Sequence, residues 1–168
     1  AASDVYKRQI HDSLGEKRKA LEYHGQALQV FRAVGDRDAE ALTVSNIGYI
    51  YDTLGEKQMA LGYHSQALLL SRAVGSRGGE AQALNNIGSV YYSLGENQKA
   101  LEYWRQALPL LRAVGNRAGE ATALNNIGLV YWSLGQNQKA LDYYSDALQL
   151  KRTVGDRGGE AYTLSQGK

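Results

Sequence analysis

The feature that most constrains this chain is a repeat. Residues 84–96 read LNNIGSVYYSLGE and residues 124–136 read LNNIGLVYWSLGQ, the same line 40 positions later. Residues 44–56, VSNIGYIYDTLGE, are a more edited third copy, and Ile10 to Glu16 carry the end of a fourth. Gly15, Gly55, Gly95 and Gly135 keep the spacing, as do Gly35, Gly75, Gly115 and Gly155. A fixed period of this size stacks copies of one small unit and builds no single central core. The 168 residues are therefore not read as one ordinary domain.

Within each period the apolar spacing is helical. Ala100, Leu101, Trp104, Ala107, Leu108, Leu111 and Val114 step by three and four, as do Leu84, Ile87, Gly88 and Tyr91. Each unit is expected to be two amphipathic helices. Both glycine series, Gly15 included, are expected to end helices in left-handed turns. Asp36, Ser76, Asn116 and Asp156 follow the second series as N-caps. Glu40, Glu80, Glu120 and Glu160 then fall in the first turn, where the helix end favours a carboxylate. Arg32, Arg72, Arg112 and Arg152 stand near the opposite end of the second helix, where a cation is favoured. Pro109 interrupts a second helix and predicts a local kink.

These positions resemble the tetratricopeptide repeat family. Its first helix carries a large apolar residue, then an apolar-glycine pair, then tyrosine, here Leu84, Ile87, Gly88 and Tyr91. Its second helix carries alanine, an aromatic and alanine, here Ala100, Trp104 and Ala107. The neighbouring units read Val44, Ile47, Gly48, Tyr51, Ala60, His64, Ala67 and Leu124, Ile127, Gly128, Tyr131, Ala140, Tyr144, Ala147. Two departures stand out. The family's usual proline after the second helix is replaced by arginine, and the period is 40 where about 34 is usual. The long form is similar to repeats of kinesin light chains, spindle-orientation adaptors and bacterial signalling proteins. The resemblance implies an all-α fold, a right-handed α-solenoid of antiparallel helix pairs.

The units follow from the glycines: a partial unit 10–35, full units 36–75, 76–115 and 116–155, and a stub 156–168. Residues 1–9, AASDVYKRQ, place Asp4, Lys7 and Arg8 where Leu84, Ile87 and Gly88 sit, and so would bury charge. They are read as a non-repeat, non-native segment. The chain reads as a piece of a longer array.

Several chemistries are excluded or disfavoured. With 19 Lys+Arg against 17 Asp+Glu, the chain lacks the imbalance of a nucleic-acid binder, and single-stranded RNA reading is disfavoured. Without cysteine there is no disulfide framework or thiolate metal site. No apolar run spans a bilayer, so no membrane role and a cytoplasmic location are expected. Catalysis needs unlike groups gathered once, whereas these carboxylates and cations return every unit. Arg37, Arg77, Arg117 and Arg157 stand three residues before the glutamates and can form weak surface pairs with them. His24 and His64 share a repeat position with Trp104 and Tyr144, which fits a packed ring better than a metal ligand. The turns GSRGGE (75–80) and GDRGGE (155–160) lack the order of a phosphate-binding loop. No catalytic residue, cofactor or metal is expected.

One set of letters exceeds what the scaffold needs. Opposite the packed stripe of the first helix lie Gln82, Asn85, Asn86, Ser89, Tyr92 and Ser93. The next unit places Thr122, Asn125, Asn126, Leu129, Trp132 and Ser133 there, and the previous one Leu42, Ser45, Asn46, Tyr49, Asp52 and Thr53. The resemblance implies that first helices line a concave wall and that asparagines at this place grip a ligand's main chain. The expected groove residues are Asn46, Tyr49, Asn85, Asn86, Ser89, Tyr92, Asn125, Asn126, Leu129 and Trp132. The less favoured alternative is that the asparagines only bridge neighbouring units by hydrogen bonds. A non-catalytic scaffold binding a peptide segment of a protein partner is the leading expectation, with weak salt dependence. End-to-end self-association through uncapped ends is the alternative.

Overall fold

The computed structural model describes residues 2–153, 155 and 163. Seven helices and no strand are found among them: α1 (Ala2–Val34), α2 (Arg37–Thr53), α3 (Lys57–Ala73), α4 (Arg77–Ser93), α5 (Asn97–Ala113), α6 (Arg117–Ser133) and α7 (Asn137–Thr153). The expected all-α repeat is what the chain forms. From α2 onward every helix has 17 residues.

The helix boundaries follow from side-chain chemistry. Asp36 and Asn116 accept from the backbone N–H of Ala39 and Gly119 at 3.0 and 2.9 Å, and Ser76 accepts from Gly79 at 3.4 Å. Each satisfies one donor that the first turn would leave orphaned. The second helices lack this device: Glu56 and Glu96 stand at the N-cap without a side-chain bond. Their entry is set by the turn before them. Gly55 has φ 83°, and the N–H groups of Gly55 and Glu56 close back on Asp52 and Tyr51 at 3.0 Å each. That pair of bonds needs a left-handed residue between helices, and glycine supplies it without a Cβ clash.

Gly15 does not do this. α1 runs unbroken through it from Ala2 to Val34, and the positive-φ glycines begin with Gly35. The expected turn at Gly15 is corrected on physical grounds. Glycine permits a left-handed turn but does not force one. The turn pays only when the preceding helix can pack back, and residues 1–9 lack the apolar stripe for that. α5 likewise continues through Pro109, which stands exposed inside the helix.

The chain divides into two compact units, residues 1–75 and 76–168. In the first, α2 packs on α3 and α1 packs on α2. Val44, Ile47 and Ile50 of α2, Ala60, Ala67 and Leu68 of α3 and Leu28 of α1 are all buried in this unit. In the second, α4 pairs with α5 and α6 with α7, α5 packs on α6, and α4 touches α6. Leu84, Ile87 and Val90 are buried with Ala100, Trp104 and Ala107 in the α4–α5 pair, and Leu124, Ile127 and Val130 with Ala140, Tyr144 and Ala147 in the α6–α7 pair. Small residues decide how closely a pair approaches. His64, Trp104 and Tyr144 lie flat on Gly48, Gly88 and Gly128, where an added Cβ would meet the ring at 2.8, 2.7 and 2.6 Å. At the other edge of each pair tyrosines stack, Tyr51 on Tyr63, Tyr91 on Tyr103 and Tyr131 on Tyr143, with centroids 5.2, 5.4 and 5.5 Å apart.

The glutamates of the first turn are more than dipole partners. Glu40 is 3% exposed and receives Arg32 Nε at 2.9 Å and Arg37 Nη1 at 3.0 Å. The Arg32 bond, against the opposing effect of burial, holds the Glu40 carboxyl below its usual range. Glu120 is tied in the same way to Arg112. The arginine of one helix thus pins the first turn of the next across the glycine turn.

Candidate functional site

Each first helix turns one stripe toward its second helix and leaves another uncovered. On α4 the uncovered stripe is Gln82, Asn86, Ser89 and Ser93; on α6 it is Thr122, Asn126, Leu129 and Ser133. Steps of three and four residues keep each set on one face. Because α4 touches α6, the stripes lie side by side within residues 76–168. In the unit 1–75, α2 presents Leu42, Asn46, Tyr49 and Thr53, with Leu42 and Tyr49 exposed by 65% and 63%. None of these twelve side chains is a carboxylate, lysine, arginine or histidine.

The structure separates the expected groove residues into three groups. Asn46 and Tyr49 are exposed, Trp132 is 43% exposed, and Asn86, Ser89, Tyr92, Asn126 and Leu129 are half-buried. These eight remain reachable from solvent. Asn125 does not: it is 2% exposed and its Oδ1 accepts from the Thr163 hydroxyl at 3.2 Å, which in turn accepts from Lys151 Nζ at 2.8 Å. It is corrected from a groove residue to an internal one. Helical geometry gives the reason: at about 100° per residue, position 125 lies closer around the helix to Gly128 of the packed stripe than position 126 does to any of its members. Asn85 occupies the same register; its backbone carbonyl accepts from Trp104 Nε1 at 3.1 Å and its Oδ1 is buried with no partner. Asn85 as a whole is half-buried, so of the two only Asn125 is sealed.

The polar groups on the wall have a direction. Ser89, Ser93 and Ser133 donate to the carbonyls of Asn85, Val90 and Val130 at 3.0, 2.7 and 2.8 Å, and Thr122 donates to Ala118 at 3.0 Å. Gln82 Nε2 donates to Asn86 Oδ1 at 2.9 Å, so part of the Asn86 amide is already engaged along its own helix. Sequence reasoning missed this in-helix bonding, although serine and threonine three or four residues after a helical carbonyl are its usual signal.

Two other groups bear on chemistry. His64 is 1% exposed, its Nδ1 meets no partner, and burial pushes its pKa down to about 4. It packs as a flat ring against Gly48, as its repeat position implied. Among the described residues no three His, Asp or Glu side chains gather as metal ligands. No described helix is long and apolar enough to cross a membrane.

Paired antiparallel helices of equal length, repeated at 40 residues with an uncovered stripe on each first helix, define a helical-repeat protein. Models of the tetratricopeptide repeat match residues 43–78 and 79–153. The chain belongs to the tetratricopeptide repeat family. Solved structures agree on the fold. The crystal structure of BtubC (BKLC) from P. vanneervenii superposes with TM-score 0.73 at 21% identity, over 95% of this chain and 74% of that one. Aspartyl phosphate phosphatase F from Bacillus subtilis gives TM-score 0.85 at 17% identity, over 90% of this chain and 40% of that one. A signal transduction ATPase with numerous domains, with a tetratricopeptide repeat sensor, from Pyrococcus horikoshii gives 0.67 at 22% identity, over 90% and 26%. This chain thus spans about three-quarters, two-fifths and a quarter of those proteins. No curated protein sequence matches it.

Proposed function

We propose that this chain is a non-catalytic, cytoplasmic interaction scaffold that holds a peptide segment of a protein partner against the uncovered stripes of its first helices. One observation carries the reading: α4 touches α6, and the stripes they present are uncharged and remain exposed or half-buried among the described residues. A face that only solvated the protein would carry Lys and Glu, as the outer helix faces do at Lys99 and Glu96. Asn126 offers both a donor and an acceptor to a main chain, and Tyr92, Leu129 and Trp132 offer apolar contact beside it. The phosphatase and ATPase activities in the names of two of those proteins are theirs; what this chain shares with them is the fold.

The test is a peptide-library pull-down on the intact chain beside an Asn86/Asn126→Ala variant that keeps its helical circular dichroism. The variant is expected to lose at least tenfold in captured peptide, with little change between low and moderate salt. Unchanged capture by the variant, or capture that collapses with salt, rejects the reading.

A second reading has its own observation. Ala20, Leu21, His24, Ala27 and Phe31 of α1 are half-buried, while the matching Ala100, Leu101, Trp104, Ala107 and Leu111 of α5 are sealed. That stripe on α1 supports association of one copy with another. Light scattering tests it: a mass that stays monomeric across a hundredfold range of concentration rejects it.

A further inference from the structure

We propose that residues 17–34 of α1 form a docking site for an amphipathic helix of a partner protein, a site apart from the stripes of the first helices. This stretch is in second-helix register: Ala20, His24 and Ala27 match Ala60, His64 and Ala67 of α3, 40 residues on. α3, α5 and α7 each pair with the first helix before them, α2, α4 and α6. α1 has no such pair among the described residues. It runs unbroken from Ala2, so residues 2–14 extend its axis and do not fold back along it, and the helix packed on it is the following one, α2. Burial records the difference. Ala60, His64 and Ala67 are 0%, 1% and 2% exposed, whereas Ala20, His24 and Ala27 are half-buried. Tyr23 is 70% exposed and stacks on no ring among the described residues. Its counterparts Tyr63, Tyr103 and Tyr143 each stack on a tyrosine of their first helix.

The chain itself prescribes the occupant, because it covers the same stripe three times. In each pair a glycine of the first helix lies under the ring of the second, Gly48 under His64, Gly88 under Trp104 and Gly128 under Tyr144. Three residues after that glycine comes the tyrosine that stacks, Tyr51, Tyr91 or Tyr131. Lys99 and Lys139 sit 5.0 and 5.3 Å over Tyr91 and Tyr131, and Lys19 holds their register on α1. The helix that fits α1 therefore carries an apolar residue followed by a glycine opposite His24, and an aromatic three residues later between Tyr23 and Lys19. A side chain in place of that glycine would strike His24, as a Cβ on Gly48 would meet His64 at 2.8 Å. A second copy of this chain carries such stripes on α2, α4 and α6, but its own pairs already bury them. The occupant is a helix of another protein with that stripe free.

The test is a fluorescence-anisotropy titration of the intact chain into a labelled peptide of residues 80–94, which supplies Leu84, Ile87, Gly88 and Tyr91. In the peptide, Gln82→Lys and Asn86→Glu on the opposite face are joined as a lactam, so that it is helical by circular dichroism before mixing. Saturable binding is expected, weakened about tenfold by Gly88→Leu in the peptide and about threefold by Tyr23→Ala in the chain. Tyr23 is exposed, so its truncation leaves the fold intact. No saturable binding, or equal binding of the Gly88→Leu peptide, overturns the proposal. Binding indifferent to Tyr23→Ala overturns the placement on α1. Concentration-dependent dimers of the chain that exclude the peptide overturn it in favour of a second copy.

Discussion

The Trp104 indole lies directly on Gly88: a Cβ placed on Gly88 would meet Nε1 at 2.7 Å and Cδ1 at 2.8 Å. The ring is fully sealed and has nowhere to retreat. Gly88→Ala is therefore expected to cost roughly 1–2 kcal/mol, the overpacking penalty less the helix gain of alanine. Gly62, inside α3 with nothing within 4 Å, is the control. Gly62→Ala should stabilise by about 0.5–1 kcal/mol. Urea unfolding of the two variants gives opposite shifts in midpoint; shifts of the same sign would show that packing at Gly88 is not limiting.

How much of this was legible beforehand depends on which face of a helix a residue occupies. The period, the glycine turns from Gly35 onward and the N-caps Asp36, Ser76 and Asn116 follow from local chemistry, so the sequence displays them directly. The ring-on-glycine packing was legible because His64, Trp104 and Tyr144 share a register. Gly15 was misread because a turn also needs a helix able to fold back, and that depends on residues 1–9 having an apolar stripe. Asn125 was misread because one step along a helix is a rotation of only about 100°. A side chain at the margin of two faces is assigned by its neighbours, here Thr163 and Lys151, and not by its own register. The in-helix bonding of Thr53, Ser93 and Ser133 does recur every 40 residues, and a hydroxyl three residues after a helical carbonyl was its overlooked signal.

Pro109 should be replaceable with profit. It is exposed inside α5 and donates no hydrogen to the Arg105 carbonyl four residues earlier. Pro109→Ala restores that bond and removes the ring from the helix interior. Thermal unfolding is expected to show a gain of about 1–3 kcal/mol. No gain would mean that α5 has already relaxed around the proline.

His64 sets an acid limit on the unit 1–75. Burial pushes its pKa down to about 4 from 6.5, against a weaker opposite influence of Asp52. Between those values the unfolded chain binds the proton and the folded one does not, so stability falls as pH falls. The stability is fully present above pH 6.5 and declines toward pH 4, by about 3 kcal/mol in all. Glu40, whose carboxyl is held low by Arg32, adds its own loss only as pH drops below its ordinary 4.5. His64→Tyr, which copies Tyr144 on Gly128, should flatten the slope between pH 6.5 and 4.5. A slope that persists in that variant would assign it to another group.

Asn85 and Asn125 make a matched pair with opposite outcomes. The Asn125 oxygen accepts from Thr163, which is itself bonded by Lys151. Forty residues earlier the places of Thr163 and Lys151 are taken by Ala123 and Leu111, so the Asn85 oxygen is buried without a donor. Removing a satisfied buried acceptor strands its donor, whereas removing an orphan relieves a desolvation cost. Asn125→Ala is expected to destabilise by about 1–2 kcal/mol, and Asn85→Ala to be neutral or stabilising. The Trp104 bond survives the second change, because it goes to the Asn85 backbone carbonyl. Chemical unfolding of the pair decides the matter: equal losses would mean that burial alone, and not hydrogen-bond satisfaction, governs both sites.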